Sequence, residues 1–138
     1  FGYFLTITQV PQKVTEFLTG LGIGPYGVLA IIMVMYLILG CLMDAMAMII
    51  LTVPIIFPVV SALGFDPIWF GVIIVMTVEL GLIHPPVGMN VFVIKSVVQD
   101  VTFTSIFKGV LPFIATDLLR LIILIAFPII ALWLPSQM

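Results

Sequence analysis

The residues able to do chemistry are few in this sequence, and most gather at one interruption. The stretch Thr77-Val78-Glu79-Leu80-Gly81-Leu82-Ile83-His84-Pro85-Pro86-Val87-Gly88-Met89-Asn90 places a hydroxyl, a carboxylate, an imidazole and an amide in an otherwise apolar run. Pro85 and Pro86 each remove a backbone donor and clash with the preceding turn, while Gly81 and Gly88 allow conformations that other residues resist. A helix therefore breaks here and releases carbonyls. In hydrocarbon an unpaired backbone group costs several kcal/mol, so such a break is buried in protein or lines a polar cavity. Discontinuous helices of this kind build ion and substrate sites in secondary transporters.

The remaining candidates are scattered. Asp44 follows Gly40-Cys41-Leu42-Met43, and a carboxylate facing lipid costs on the order of 3 kcal/mol. It belongs at a turn, where it meets water or cations. His84 can contact a carboxylate or confer pH sensitivity, or it can simply hydrogen-bond the released carbonyls. Glu79 reads equally as a ligand, as an acceptor for nearby amides, or as a protonated helix residue. Asp117 and Arg120 are three apart and so can pair on one helix face; a structural pair is preferred to a substrate-binding Arg. Cys41, Asp44, Glu79 and His84 offer donor atoms, but no repeated ligand spacing supports a transition-metal site. Neither HExxH nor GxSxG occurs, which argues against two common hydrolase chemistries.

Composition sets the class of the elements that must position these groups. The chain is 64% hydrophobic and 7% charged, with a mean hydropathy of +1.46. That is an all-α integral membrane protein in contact with the lipid bilayer, not a soluble domain. A net charge of −2, from scattered residues, implies no nucleic-acid partner. The lone Cys41 excludes an intrachain disulfide. The opening Phe1-Gly2-Tyr3-Phe4-Leu5 reads as though cut from the middle of a helix, so the chain is expected to be the C-terminal part of a longer protein.

With about 20 apolar residues per crossing as the yardstick, residues 1–25 are expected to hold the end of a membrane helix and an interfacial amphipathic helix. In that second helix Lys13 and Glu16 take one side, and Val14, Phe17 and Leu18 another. Residues 26–66 are too long for one crossing and too short for two with a turn. A re-entrant hairpin fits, with arms of about Tyr26–Leu39 and Ala47–Leu63 and a tip at Gly40–Met46; Pro54 and Pro58 offer an alternative turn. Asp66 is expected to cap a helix with Pro67 at its first position. Residues 67–98 then form a discontinuous transmembrane helix broken over 81–88. Residues 99–108 form a polar connection, and 109–138 a final transmembrane helix and C-terminus closed by Trp133 and Pro135. Lys95 and Lys108 place the 99–108 connection on the cytoplasmic side, a bias that Lys13 dilutes.

Four segments occur in one order: Gly40-Cys41-Leu42-Met43-Asp44, Leu51-Thr52-Val53-Pro54-Ile55, Gly64-Phe65-Asp66-Pro67-Ile68-Trp69-Phe70-Gly71 and Glu79 to Asn90. Together they resemble the large membrane subunit of tripartite ATP-independent periplasmic (TRAP) transporters over nearly the entire chain. The resemblance implies the second inverted repeat of an elevator-type, sodium-coupled importer of organic acids, and not an enzyme. It also implies a bacterial inner (cytoplasmic) membrane location, multi-pass. The implied partners are a small membrane subunit, a periplasmic substrate-binding protein and the N-terminal half of the same subunit. No cofactor is implied beyond Na+ as coupling ion. One departure stands out: His84 occupies a position where the family pattern often has Thr.

On that reading the sodium ligands are largely backbone groups around Gly40, Cys41, Asp44, Ala45, Gly81 and Gly88. Side-chain oxygens of Thr77, Asn90 and Asp44 can add to them. His84, Pro85, Pro86 and Asn90 are the candidate substrate contacts, with the half-helix N-terminus near Val87–Met89 attracting a carboxylate. Competing readings are a carboxylate elevator transporter needing no binding protein, a membrane-embedded enzyme using Asp44, Glu79 or His84, and a structural subunit. The cost of Asp44 and the Gly/Pro break argue against the last.

Overall fold

The computed structural model describes residues 2–138; Phe1, the first residue of the expected opening helix end, lies outside them. The described residues form helices and no strand. They are α1 (Gly2–Thr8), α2 (Val10–Gly20), α3 (Gly24–Leu42), α4 (Ala45–Ala62), α5 (Pro67–Ile83), α6 (Met89–Val97), α7 (Phe103–Ala126) and α8 (Ile129–Ser136). Helices α3, α4 and α7 are each long and apolar enough to cross a membrane.

Local chemistry explains most boundaries. Asp66 Oδ1 accepts from the amides of Ile68 at 2.8 Å and Trp69 at 3.2 Å, with Pro67 opening α5, the cap that the sequence implied. Thr102 caps α7 in the same way through Ser105 N at 3.3 Å. Pro54 and Pro58 do not make a turn: α4 runs through both.

α5 is the central element, packed against α3, α4, α6, α7 and α8. Its residues Trp69, Phe70, Ile73, Ile74 and Val78 join Ile32 and Tyr36 of α3, Met48, Ile56 and Val59 of α4, and Leu121 and Leu124 of α7 in one core. Two contacts give the direction of α3. The rings of Tyr26 and Phe65 lie 5.5 Å apart near the helix starts, and Gly40 meets Gly81 near the ends. α3 and α5 therefore run parallel, and their C-termini lie at one level. α7 runs the other way, from Phe103, whose ring is tilted against that of Phe92 of α6 at 5.0 Å, to Leu124 beside Trp69.

Several elements are longer or shorter than the sequence implied. α3 continues through Gly40 and Cys41, so the tip shrinks to Met43 and Asp44 and both arms lengthen to 19 and 18 residues. α5 continues through Gly81 to Ile83, so the break shortens to 84–88. α7 begins at Phe103, inside the expected polar connection, and the final span is divided at Phe127–Pro128. Pro128 has no N–H to offer Leu124 O four residues earlier. The buried Trp69 indole Nε1 donates to that carbonyl instead, at 2.9 Å. α2 packs on α4 through Val14 and Leu18 and leaves Phe17 69% exposed, away from the face it was expected to share.

Tyr36 and Thr52 lie eight residues on either side of Asp44, and their hydroxyls meet at 2.6 Å across the hairpin. Thr52 already donates to Met48 O at 2.7 Å, so its single hydrogen is committed and Tyr36 is the donor. Replacing Trp69 with Phe removes the indole donor while keeping most of the ring. The expected loss is about 1–3 kcal/mol from orphaning Leu124 O, read as a lower unfolding midpoint in detergent.

Candidate functional site

At the tip, Met43 N donates to Leu39 O at 2.8 Å and ends α3, after which Asp44 turns the chain in an extended conformation. Its Oδ2 accepts from Met46 N at 3.0 Å and Ala47 N at 3.1 Å. Asp44 is thus the N-cap of α4, with Oδ1 left over and the residue exposed. Ala45 opens the helix it caps.

At the break, His84 is extended, with ψ of 136°, as a residue before proline must be. Pro85 and Pro86 are joined by a cis bond. Lacking N–H groups, they leave the carbonyls of Gly81 and Leu82 without their usual helical donors. Gly81 O is served otherwise, by His84 N at 3.3 Å and by the Cys41 thiol at 3.3 Å. The same Sγ lies 3.5 Å from His84 O, so the buried thiol sits between two carbonyls of the break. Gly88, with φ of +57°, folds the chain back so closely that a Cβ would stand 3.3 Å from His84 O. α6 then starts with no side chain capping its N-terminus.

Tip and break are pressed together at Gly40 and Gly81. A Cβ on Gly81 would lie 2.9 Å from Gly40 Cα and 3.1 Å from Leu37 O; one on Gly40 would lie 3.1 Å from Gly81 Cα. Only glycine fits on both sides. Both residues, expected to offer backbone groups to an ion, are helical residues at a crossing.

Beside the crossing, the end of α3 and the break enclose a cleft of about 390 Å³ lined by Val34, Leu37, Ile38, Cys41, Leu42, His84, Pro85, Pro86 and Val87. Its walls are mostly apolar. Among the described residues His84 Nδ1 is buried with no hydrogen-bond partner, the exception among buried polar groups in folded proteins.

The structure therefore gathers Cys41, His84, Pro85 and Pro86 at one cleft, with Gly40, Gly81 and Gly88 shaping its backbone. It does not bring the others there. Thr77 is buried and donates to Ile73 O at 2.8 Å within its own helix. Asn90 is exposed on the first turn of α6, and Glu79 is exposed between buried Val78 and Leu80. Asp117 and Arg120 pair at 2.9 Å on α7. Among the described residues, no three of His, Cys, Asp and Glu converge as a metal site. Sequence reasoning missed Val34, Leu37, Ile38 and Leu42 as cleft lining, although they form one stripe at helical spacing.

Comparison with known proteins adds the family. Residues 1–130 match the family model described as tripartite ATP-independent periplasmic transporter, DctM component. The chain is 38% identical over 99% of its length to a C4-dicarboxylate TRAP transporter large permease protein of Pseudomonas aeruginosa, of which it covers 32%. It is 33% identical over 99% of its length to a sialic acid TRAP transporter large permease protein of Vibrio cholerae, again covering 32%. An isethionate TRAP transporter permease protein of Oleidesulfovibrio alaskensis is 38% identical over 96% of the chain, which covers 21% of it. The chain thus spans about a third or less of these relatives.

Gly81→Ala is expected to separate α3 from α5 at a cost of about 1–3 kcal/mol, as overpacking does. In a full-length subunit carrying this sequence, the separation should expose Cys41, so a thiol reagent should label the variant much faster than the parent. Equal labelling would show that the crossing does not seal the thiol.

Proposed function

The chain belongs to the DctM family of tripartite ATP-independent periplasmic transporter components, and from that premise we propose that it forms one wall of the translocation site in an organic-acid importer. The family is one of transport components rather than enzymes. Its apolar helices make this a multi-pass membrane protein, and we place it in the bacterial inner membrane.

The observation that carries the proposal is the meeting of helix ends. α3 and α5 run parallel and end at the Gly40–Gly81 crossing, so two negative dipole ends point at one level. The carbonyls still free in the last turn of α3, and that of Leu82 released at Pro86, provide oxygens for a hard cation without added charge. Sodium suits that donor set, with the second carboxylate oxygen of Asp44 near the same tip. α6 begins there as well, and its N-terminus has no side-chain cap. Its positive end is suited to a substrate carboxylate. On this reading the cation and anion sites adjoin, an arrangement suited to symport.

A hairpin tip level with the helix break, and short of the α6–α7 end, also supports a re-entrant hairpin in an elevator-type repeat. The relatives' names, which include a dicarboxylate, sialic acid and isethionate, span several organic acids. They support the class of substrate and not one compound. Small membrane subunit, periplasmic binding protein and the rest of the large subunit are the partners this reading requires.

Proteoliposomes holding a full-length subunit with this sequence and its small partner test the proposal. Uptake of a labelled organic acid should require both an inward sodium gradient and the binding protein. Sodium-driven uptake without the soluble protein would favour a binding-protein-independent carboxylate transporter instead. Within the same assay, His84→Ala should raise KM for the acid more than it lowers the maximal rate, because on this reading the residue lines the cleft as a substrate contact.

A further inference from the structure

α7 carries a charged pair where lipid is the expected neighbour. Asp117 and Arg120 lie inside its apolar run, nine and twelve residues past Lys108, yet their side chains are 30% and 55% exposed. Charged groups inside membrane spans face other protein or water, because facing hydrocarbon costs several kcal/mol. The pair offsets part of that cost internally. A guanidinium has five N–H donors, and one carboxylate contact at 2.9 Å leaves most of them to be satisfied.

The flanks of α7 differ. Thr116, Leu119, Arg120 and Ile123 fall on one flank at helical spacing. With Leu124 and Ile130 of α8 they line a recess of about 360 Å³. Leu111, Leu118 and Ile122 fall on another flank, which is wholly apolar and also exposed. The second is chemically a lipid-facing surface. The first combines a recess with an underused cation.

We infer that the Thr116–Arg120–Ile123 flank docks a membrane helix from the remainder of the same large subunit, which presents hydrogen-bond acceptors to Arg120. The occupant is the same polypeptide because the relatives are about three times as long as this chain, which leaves most of such a subunit to be placed around it. Acceptors are required by the donors that Asp117 leaves over. The inference rests on the reading of this chain as part of a full-length TRAP permease, and extends it by naming the surface.

A photoreactive benzophenone amino acid placed at Ile123 of the full-length subunit, in proteoliposomes with the small subunit and irradiated, tests it. The expected product is an intramolecular cross-link to a helix outside residues 1–138, mapped by mass spectrometry. The same probe at Ile122 should give lipid adducts only. Arg120→Met in the Ile123-probe background should lower the protein cross-link yield several-fold. Lipid adducts alone at Ile123, or a cross-link to the small subunit or to a second copy, would overturn the assignment. Leu119 on the same flank replaces Ile123 if that variant does not accumulate. Uptake is measured alongside: transport with lipid adducts at Ile123 removes this inference and leaves the transport reading standing.

Discussion

Two backbones can approach as closely as those of α3 and α5 only where neither carries a side chain. Gly40 and Gly81 meet at a separation that a single Cβ would close to 2.9 Å. In water, burial of apolar surface would hold such helices together. In a bilayer it does not, since lipid is as apolar as leucine, and close packing with interhelical hydrogen bonds must serve. The glycine crossing provides the packing. It also sets the height of the hairpin tip against the helix break, and every candidate contact depends on that height.

Two hydrogen bonds between helices share one origin. In each a proline releases a carbonyl, and a neighbouring helix supplies a donor. Pro85 releases Gly81 O, and the Cys41 thiol from α3 reaches it at 3.3 Å. Pro128 releases Leu124 O, and the Trp69 indole from α5 reaches it at 2.9 Å. Tyr36 and Thr52 tie the hairpin arms without a proline, a hydroxyl already engaged on its own helix serving as acceptor. At Pro85 and Pro128 a residue that breaks one helix also joins it to another. His84 is the exception, because its buried Nδ1 has no donor or acceptor among the described residues.

Much of this was legible where the signal is local. Asp66-Pro67 reads as a helix start because cap and first-turn proline act within four residues. Pro85-Pro86 reads as a break because the missing N–H groups are written in the residues themselves. Gly40 and Gly81 were legible as special, but not as each other's partner. A glycine can mark a turn or a close approach, and only the partner distinguishes them; here the partner lies forty-one residues away. The division at Phe127–Pro128 escaped because residues 109–134 satisfied a length criterion that takes no account of proline. Cys41 was expected at the hairpin tip and is buried within α3, since the helix extends beyond it.

On this account the hairpin tip and the break move as one body, held by the crossing, and ligands adjust the surroundings rather than this contact. Spin labels at Leu42 and Pro86, on the two sides of the cleft, would measure that directly by pulsed electron resonance in the full-length subunit in liposomes. The account predicts one narrow distance distribution, unchanged by sodium and by substrate. A second population, or a shift of several ångströms on adding either, would show that the hairpin swings away from the break and would contradict it.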